Sequence, residues 1–472
     1  MKAFKLTSNK IAIVAAVLIL AALSFTLFAC NSGRTKPQDT STYYDMSAEL
    51  NDGVLNVTQE ILYVAPDDED RIVLNVYANA FSSTNNAIDI LSAQINRKNV
   101  DYEIYGAKNT LMKLPCSLKK GHTASISLKY SITLPKSDTR LGITANGISN
   151  LACFYPVVAR YENGWREDAY CDIGDPFYHD VASFYVSLTV DESLQVASSG
   201  KILEVTPTGN SKKTIEIEAE NIRDFAMAVG KAYVLSDVTE IDGRKVDLNY
   251  FYFEDPYPQQ TLKHIENSLA TFSKIYGAYP YEVFTVAQSN LSGAGGMEYG
   301  TFVTVSKIMS RDEYFDVITH ETAHQWWYNV VGNDQINAPW LDEGLTEFST
   351  AYFHYLSDDK AKYNAEMANM RKSYSAFCTH ENLGFSGKMN RPLSSYVTDG
   401  EYVAVTYFKG ALLFDALRSL TGDAKFQSAL KRYFKENAFG IATQAALIDA
   451  FKAEGFDISK LINRWTETSA II

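Results

Sequence analysis

The sequence predicts an α+β protein in two parts: a β-rich half of sandwich or saddle type, then a mostly α-helical half. Three observations carry this prediction. Apolar residues alternate with polar ones from about residue 44 to 235, and after about 236 the apolar spacing becomes helical. The 472 residues also exceed what one small core needs. An aromatic content of 13 % leans toward sheet-rich packing. The formal net charge of −13 argues against nucleic acid as a partner, because a phosphate backbone calls for a basic face.

In chain order, "MKAFKLTSNK" supplies a basic start and Ile11 to Ala29 an uncharged apolar run, a targeting segment that takes no part in the fold. Leu27-Phe28-Ala29-Cys30 resembles the lipobox of bacterial lipoproteins, although Phe28 is bulkier than the usual residue there. The resemblance implies a signal peptide over 1–30, lipidation at Cys30 and anchoring to the extracytoplasmic side of a membrane. An uncleaved signal anchor is the alternative, since the run nearly spans a bilayer. Residues 31–43 are polar at the start and read as a tether. Cys116, Cys153, Cys171 and Cys378 remain; a Cys153–Cys171 bridge and four free thiols both fit the spacing.

In the segment expected to form the β domain, 44–235, "HTASISLKYSITLP" sets Ile126, Leu128, Tyr130, Ile132 and Leu134 on one face of a strand. "SFYVSLTV" does the same with Phe184, Val186, Leu188 and Val190, and "TIEIEA" with Ile215 and Ile217. In the segment 236–472, Leu262, Ile265, Leu269, Phe272 and Ile275 fall at helical spacing before Gly277. "VFTVAQ" and "TFVTVS" read as strands, and nearly everything beyond Asp312 as helix.

Within the helical half, "THETAHQWWYNVVGN" places His320 and His324 four residues apart, on one helical face, able to present two imidazoles to one ion. Glu321 stands about 100° around the helix, suited to act on a water rather than bind the metal. "WWYNVVGN" would extend the same helix with an apolar side. A third ligand has acidic candidates in Asp334, Asp342, Glu343 and Glu347, with Glu343 in the first turn of a helix starting near Leu341. A satisfied pair of histidines is the structural alternative.

HExxH, then 18 residues, then Glu within "WLDEGLTEF" resembles the signature of the gluzincin aminopeptidases, the family of aminopeptidase N and leukotriene hydrolase. The resemblance implies a thermolysin-like zincin catalytic domain and one Zn2+ per chain. It further implies His320, His324 and Glu343 as ligands, Glu321 as general base, and Asp342 and Glu347 as supporting groups. Gly295-Gly296-Met297-Glu298 in "GAGGMEYGTF" is similar to the family's exopeptidase motif, with Tyr299 where the family has Asn. That implies a glycine-flanked strand beside the substrate backbone and Glu298 on a free α-ammonium. "TYFKGALLF" is similar to the segment that carries the family's oxyanion-binding tyrosine, which implies Tyr407 rather than nearby Tyr402.

The implied partners are therefore peptides with a free N-terminus. Two departures keep other readings open. The family's second amine anchor in the β domain has no visible counterpart, and the chain stops before the large helical C-terminal domain of longer relatives. The cleft would then be open, or covered by an unknown subunit or protein. A zinc endopeptidase with the same site is the alternative enzyme, and a tethered peptide-binding module with a structural zinc the alternative outside catalysis.

Overall fold

The computed structural model describes residues 42–306, 310–378 and 385–470; the expected signal peptide, Cys30 and most of the tether lie outside them. Ser41–Ile472 forms one compact unit. Its first half is built on an eight-stranded sheet, antiparallel except where Thr42–Asn51 runs parallel to Ala182–Asp191. The predicted alternation is seen in Thr123–Thr133, whose Ile126, Leu128, Tyr130 and Ile132 all point into the core. Val186, Leu188, Ile215 and Ile217 fill the same core from neighbouring strands. Two four-stranded sheets complete this half.

The second half opens differently from the sequence reading. A β-hairpin, Tyr233–Ile241 and Arg244–Tyr252, precedes the first helix. Its second strand buries Val246, Leu248 and Tyr250 on alternate positions, a signal that the nearby helical period hides. The hairpin joins Val283–Ser289, Phe302–Ser306 and Gly296–Tyr299 in a five-stranded sheet, with Gly296–Tyr299 as an edge strand.

Helix α1, Pro258–Tyr276, lays Leu262, Ile265, Leu269, Phe272 and Ile275 on the core as predicted. Gly277 ends it at φ 142°, pressed so close to Phe434 that a Cβ would sit 2.5 Å from the ring. Helix α2, Arg311–Ala323, starts at Ser310, whose hydroxyl caps it by accepting from the Glu313 N–H and in turn donates to the Glu313 carboxylate. Helix α3, Glu343–Leu356, follows a short 3-10 turn at Pro339–Leu341. Further helices run to Ser459–Glu467.

One prediction about α2 is corrected. The helix stops at Ala323, with His324 as its C-cap, so "WWYNVVGN" does not prolong it. The chain turns there through wider hydrogen bonds, Asn329 N to His324 O and Val331 N to Trp326 O, both 3.0 Å. The cause is tertiary. Arg223 from the β half donates to the Tyr328 carbonyl (2.7 Å), and Asp224 accepts from the Tyr328 hydroxyl (2.9 Å). Those bonds hold Tyr328 at φ 150°, outside any helix.

Arg223 also donates to the carbonyls of His179 (2.7 Å) and Gly440 (3.0 Å), and so ties the two halves together. Beside it, small side chains Ala152, Ala197, Ala226 and Ala228 pack against Phe251, Met297, Tyr299 and Phe302. The four cysteines among the described residues are free thiols, so Cys153 and Cys171 form no bridge.

Candidate metal centre

The end of α2 meets the start of α3 at three donor atoms. His320 Nε2 and His324 Nε2 lie 3.2 Å apart, and Glu343 Oε2 stands 3.3 Å and 3.4 Å from them. Metal–ligand bonds of about 2.0–2.1 Å in tetrahedral geometry separate their donors by about 3.3–3.4 Å, so this triangle is one face of such a site. Glu343 Oε2 is buried and accepts no hydrogen bond from the protein, an oxygen oriented for a cation. The residues present fit a zinc ion.

The far nitrogens of both imidazoles are held. His324 Nδ1 lies 2.8 Å from Asp342 Oδ1, and His320 Nδ1 lies 3.1 Å from Glu347 Oε2. Gln335 donates to the other Asp342 oxygen at 2.5 Å. Carboxylates in this position fix the tautomer and raise ligand basicity. Burial would depress both imidazoles, but the carboxylates outweigh it: His320 is raised to about 9 and His324 well above its usual value. Asp334, the remaining acidic candidate, pairs instead with Arg166 at 3.3 Å.

Glu321 and Glu298 supply buried carboxylates beside the triangle. Burial pushes Glu321 up to about 7, with both histidines pulling against it, and its Oε2 has no protein partner. A carboxylate near neutrality can both take and return a proton. The glycines of "GAGGME" explain themselves here: a Cβ on Gly296 would lie 2.3 Å from Glu321 Oε1, and one on Gly295 3.0 Å from Val317. The edge strand can approach the metal helix only without side chains. Met297 turns into the seam between the halves, and Glu298 is 3 % exposed with Oε1 unpartnered. Burial raises the Glu298 carboxyl well above the usual range.

Asp175 was not singled out in the sequence. The fold brings its carboxylate within 4.8 Å of donor atoms of Glu298 and Glu343. Arg140 pairs with it from the same half of the molecule, and burial still raises Asp175 to about 6. Only pairing across 123 residues, from Asp175 to Glu298, creates this cluster; no local spacing announces it.

Tyr407 stacks on His320, ring centroids 5.8 Å apart, and burial and the nearby Glu343 charge push its phenol well above its usual value. It sits in a π-helical segment, Val403–Phe408, set between Asp399–Tyr402 and Lys409–Thr421. Such insertions redirect side chains and concentrate at functional sites. Tyr402 is also buried, its ring 5.7 Å from that of Tyr407 and its hydroxyl unpartnered. The glycines of "DEGL" and "FKGA" meet each other: a Cβ on Gly344 would lie 2.7 Å from Gly410 Cα. Their backbone contact brings the Tyr407 helix onto the N-terminus of α3. A second cluster, Asp316, His354 and Glu366, already holds a cation, because Lys362 Nζ lies 2.7 Å from Asp316.

Residues 260–465 match the model described as Peptidase family M1 domain. The chain is 22 % identical over 413 residues to Aminopeptidase 2 of Candida albicans, covering 80 % of this chain and 42 % of that one. It is 23 % identical over 416 residues to Aminopeptidase N of Lactobacillus helveticus, covering 83 % and 47 %. The chain thus spans less than half the length of these curated relatives. A crystal structure of a mutant M1 zinc metallopeptidase from Deinococcus radiodurans, bound to Tyr-ser-ala substrate, superposes with a TM-score of 0.68. It is 21 % identical and covers 93 % of this chain and 96 % of that chain. The likeness establishes a shared fold.

Proposed function

We propose that this chain, which carries a peptidase family M1 domain, is a zinc aminopeptidase that removes single residues from the free N-termini of peptides. One observation carries the reading: the unpartnered, buried Glu298 carboxylate stands at an edge strand beside the metal triangle and faces Asp175. Clustered buried carboxylates are unstable as a set unless cations join them. The metal answers for Glu343 and Arg140 for Asp175; a substrate ammonium answers for Glu298. The relatives named aminopeptidase, and the neighbour crystallised with a tripeptide, support the same reading.

Zinc, when bound by His320, His324 and Glu343, supplies a Lewis acid and lowers the pKa of a coordinated water. The remaining work falls to the chain. Glu298 and Asp175 hold the ammonium with charge-assisted hydrogen bonds. The Gly296–Tyr299 edge offers its free backbone groups to the substrate strand, which fixes the first peptide carbonyl near the triangle. Glu321 takes the proton of the attacking water and returns it to the leaving nitrogen. The Tyr407 hydroxyl donates to the charge that develops on the carbonyl oxygen. Residues 1–30 extend the proposal to an extracytoplasmic, lipid-anchored enzyme.

The test uses residues 38–472 loaded with zinc and a mixed peptide set, each member with a free and an N-acetylated terminus. Products are read by mass spectrometry. Stepwise loss of single residues from free peptides alone is the expected result. Internal cuts that ignore acetylation would make the protein an endopeptidase. Metal retention without cleavage would make it a binding module.

A further inference from the structure

The turn that carries Tyr407 continues into a residue that touches none of the proposed metal ligands. Two positions after Tyr407, Lys409 is wholly buried, its ammonium donating to the carbonyls of Gly387 and Trp465, both at 2.7 Å, and of Thr468. Trp465 and Thr468 mark the C-terminal end of the Ser459–Glu467 helix. The last carbonyls of a helix lack internal partners and carry the negative end of its dipole. A lysine ammonium, with three donors on one atom arranged tetrahedrally, suits three carbonyls that converge on a point. Lys409 therefore caps that helix from outside it.

The same stretch is locked on both sides. Gly410 lies backbone to backbone against Gly344, next to Glu343. The chain after Trp465 is tied in further: Tyr374 donates to Ser469 O (2.7 Å), and Met389 N donates to Thr466 O (2.8 Å). A π-helical turn is intrinsically less favoured than α-helix, so Val403–Phe408 needs an external anchor to hold its phenol in one place.

We infer that Lys409 is a positioning residue for Tyr407: by clamping the end of the Ser459–Glu467 helix, it fixes the π-helical turn that stacks the Tyr407 ring on His320. The inference rests on the aminopeptidase reading for its kinetic consequence. Its structural half, the coupling of residues 403–410 to 465–469, stands by itself.

A double-mutant cycle tests it in the zinc-loaded protein, with metal content measured for each variant. Lys409→Met is expected to lower kcat about tenfold or more with KM within about twofold. In a Tyr407→Phe background the same substitution is expected to change kcat less than about twofold, because the phenol it positions is gone. Equal losses in both backgrounds would overturn the inference, as a general defect of the fold behaves that way. Amide hydrogen exchange supplies the second arm. Lys409→Met should raise exchange in 403–410 and in 462–469 together, and unchanged protection at 403–410 sinks the proposal. If the methionine variant does not fold, Lys409→Gln, which keeps two donors, replaces it in both arms. Failure of the wild type to cleave any peptide would dismiss the aminopeptidase reading, while hydrogen exchange would still decide the coupling.

Discussion

Two kinds of buried charge stand within this molecule, and they are treated in opposite ways. The buried cations, Arg223 at the join of the two halves and Lys409 under the tyrosine turn, each donate to three backbone carbonyls. Three buried carboxylates around the triangle each keep an oxygen unpartnered: Glu298 Oε1, Glu321 Oε2 and Glu343 Oε2. A satisfied buried charge holds segments together; an unsatisfied one costs stability, and three of them around one triangle mark a place for something outside the chain. The contrast teaches where the fold ends and the site begins.

The largest effect that could break this comparison is at Glu321. Glu321→Gln should lower kcat by about 10³-fold while zinc content holds. The metal-free variant should melt no lower than the wild type, since it removes a buried carboxylate without removing a structural bond. A clear drop in melting temperature would class Glu321 with the cations. Arg223→Met makes the opposite test. It orphans three carbonyls and should cost about 3 kcal/mol of stability, seen as a lower denaturation midpoint. An unchanged midpoint would mean that the join holds through apolar packing alone. Glu298→Gln should raise KM for free peptides roughly 30-fold, about 2 kcal/mol of lost ammonium binding. It should narrow the gap between free and acetylated substrates, which the same peptide set measures.

Much of the fold and of the site was legible in the sequence, the contrast in buried charge was not, and the limit has a physical cause. Alternation in Thr123–Thr133 and the helical period of α1 arise from local geometry, so both were readable. The triangle was readable because His320 and His324 share one helical turn and Glu343 opens the next helix. The end of α2 was not, because bonds from Arg223 and Asp224, about a hundred residues away, stop it. Asp175 was invisible for the same reason. Gly344 and Gly410 could be noted as motif members, but only the crossing of their helices shows that each exists for the other.

Asp224 offers the smallest and sharpest test, because it is a half-buried carboxylate that is satisfied like the cations. Its oxygens accept from Gly300 N at 3.0 Å and Tyr328 Oη at 2.9 Å. Burial nonetheless pushes its carboxyl up to about 6 from an ordinary value of 3.8. The folded state therefore binds this proton more tightly than the unfolded chain. Wild-type stability from this group is fully present below the unfolded value and lost as pH rises from about 4 through about 6, with no further change above. Asp224→Asn removes the titration, so variant minus wild-type melting temperature should climb over that window, by about 2 °C for a protein of this size. A difference that stays flat from pH 4 to 7 would show that the hydrogen bonds from Gly300 and Tyr328 fully offset the burial of the charge. Asp224 would then belong with the satisfied groups without qualification, and unpartnered oxygens alone would set the site carboxylates apart.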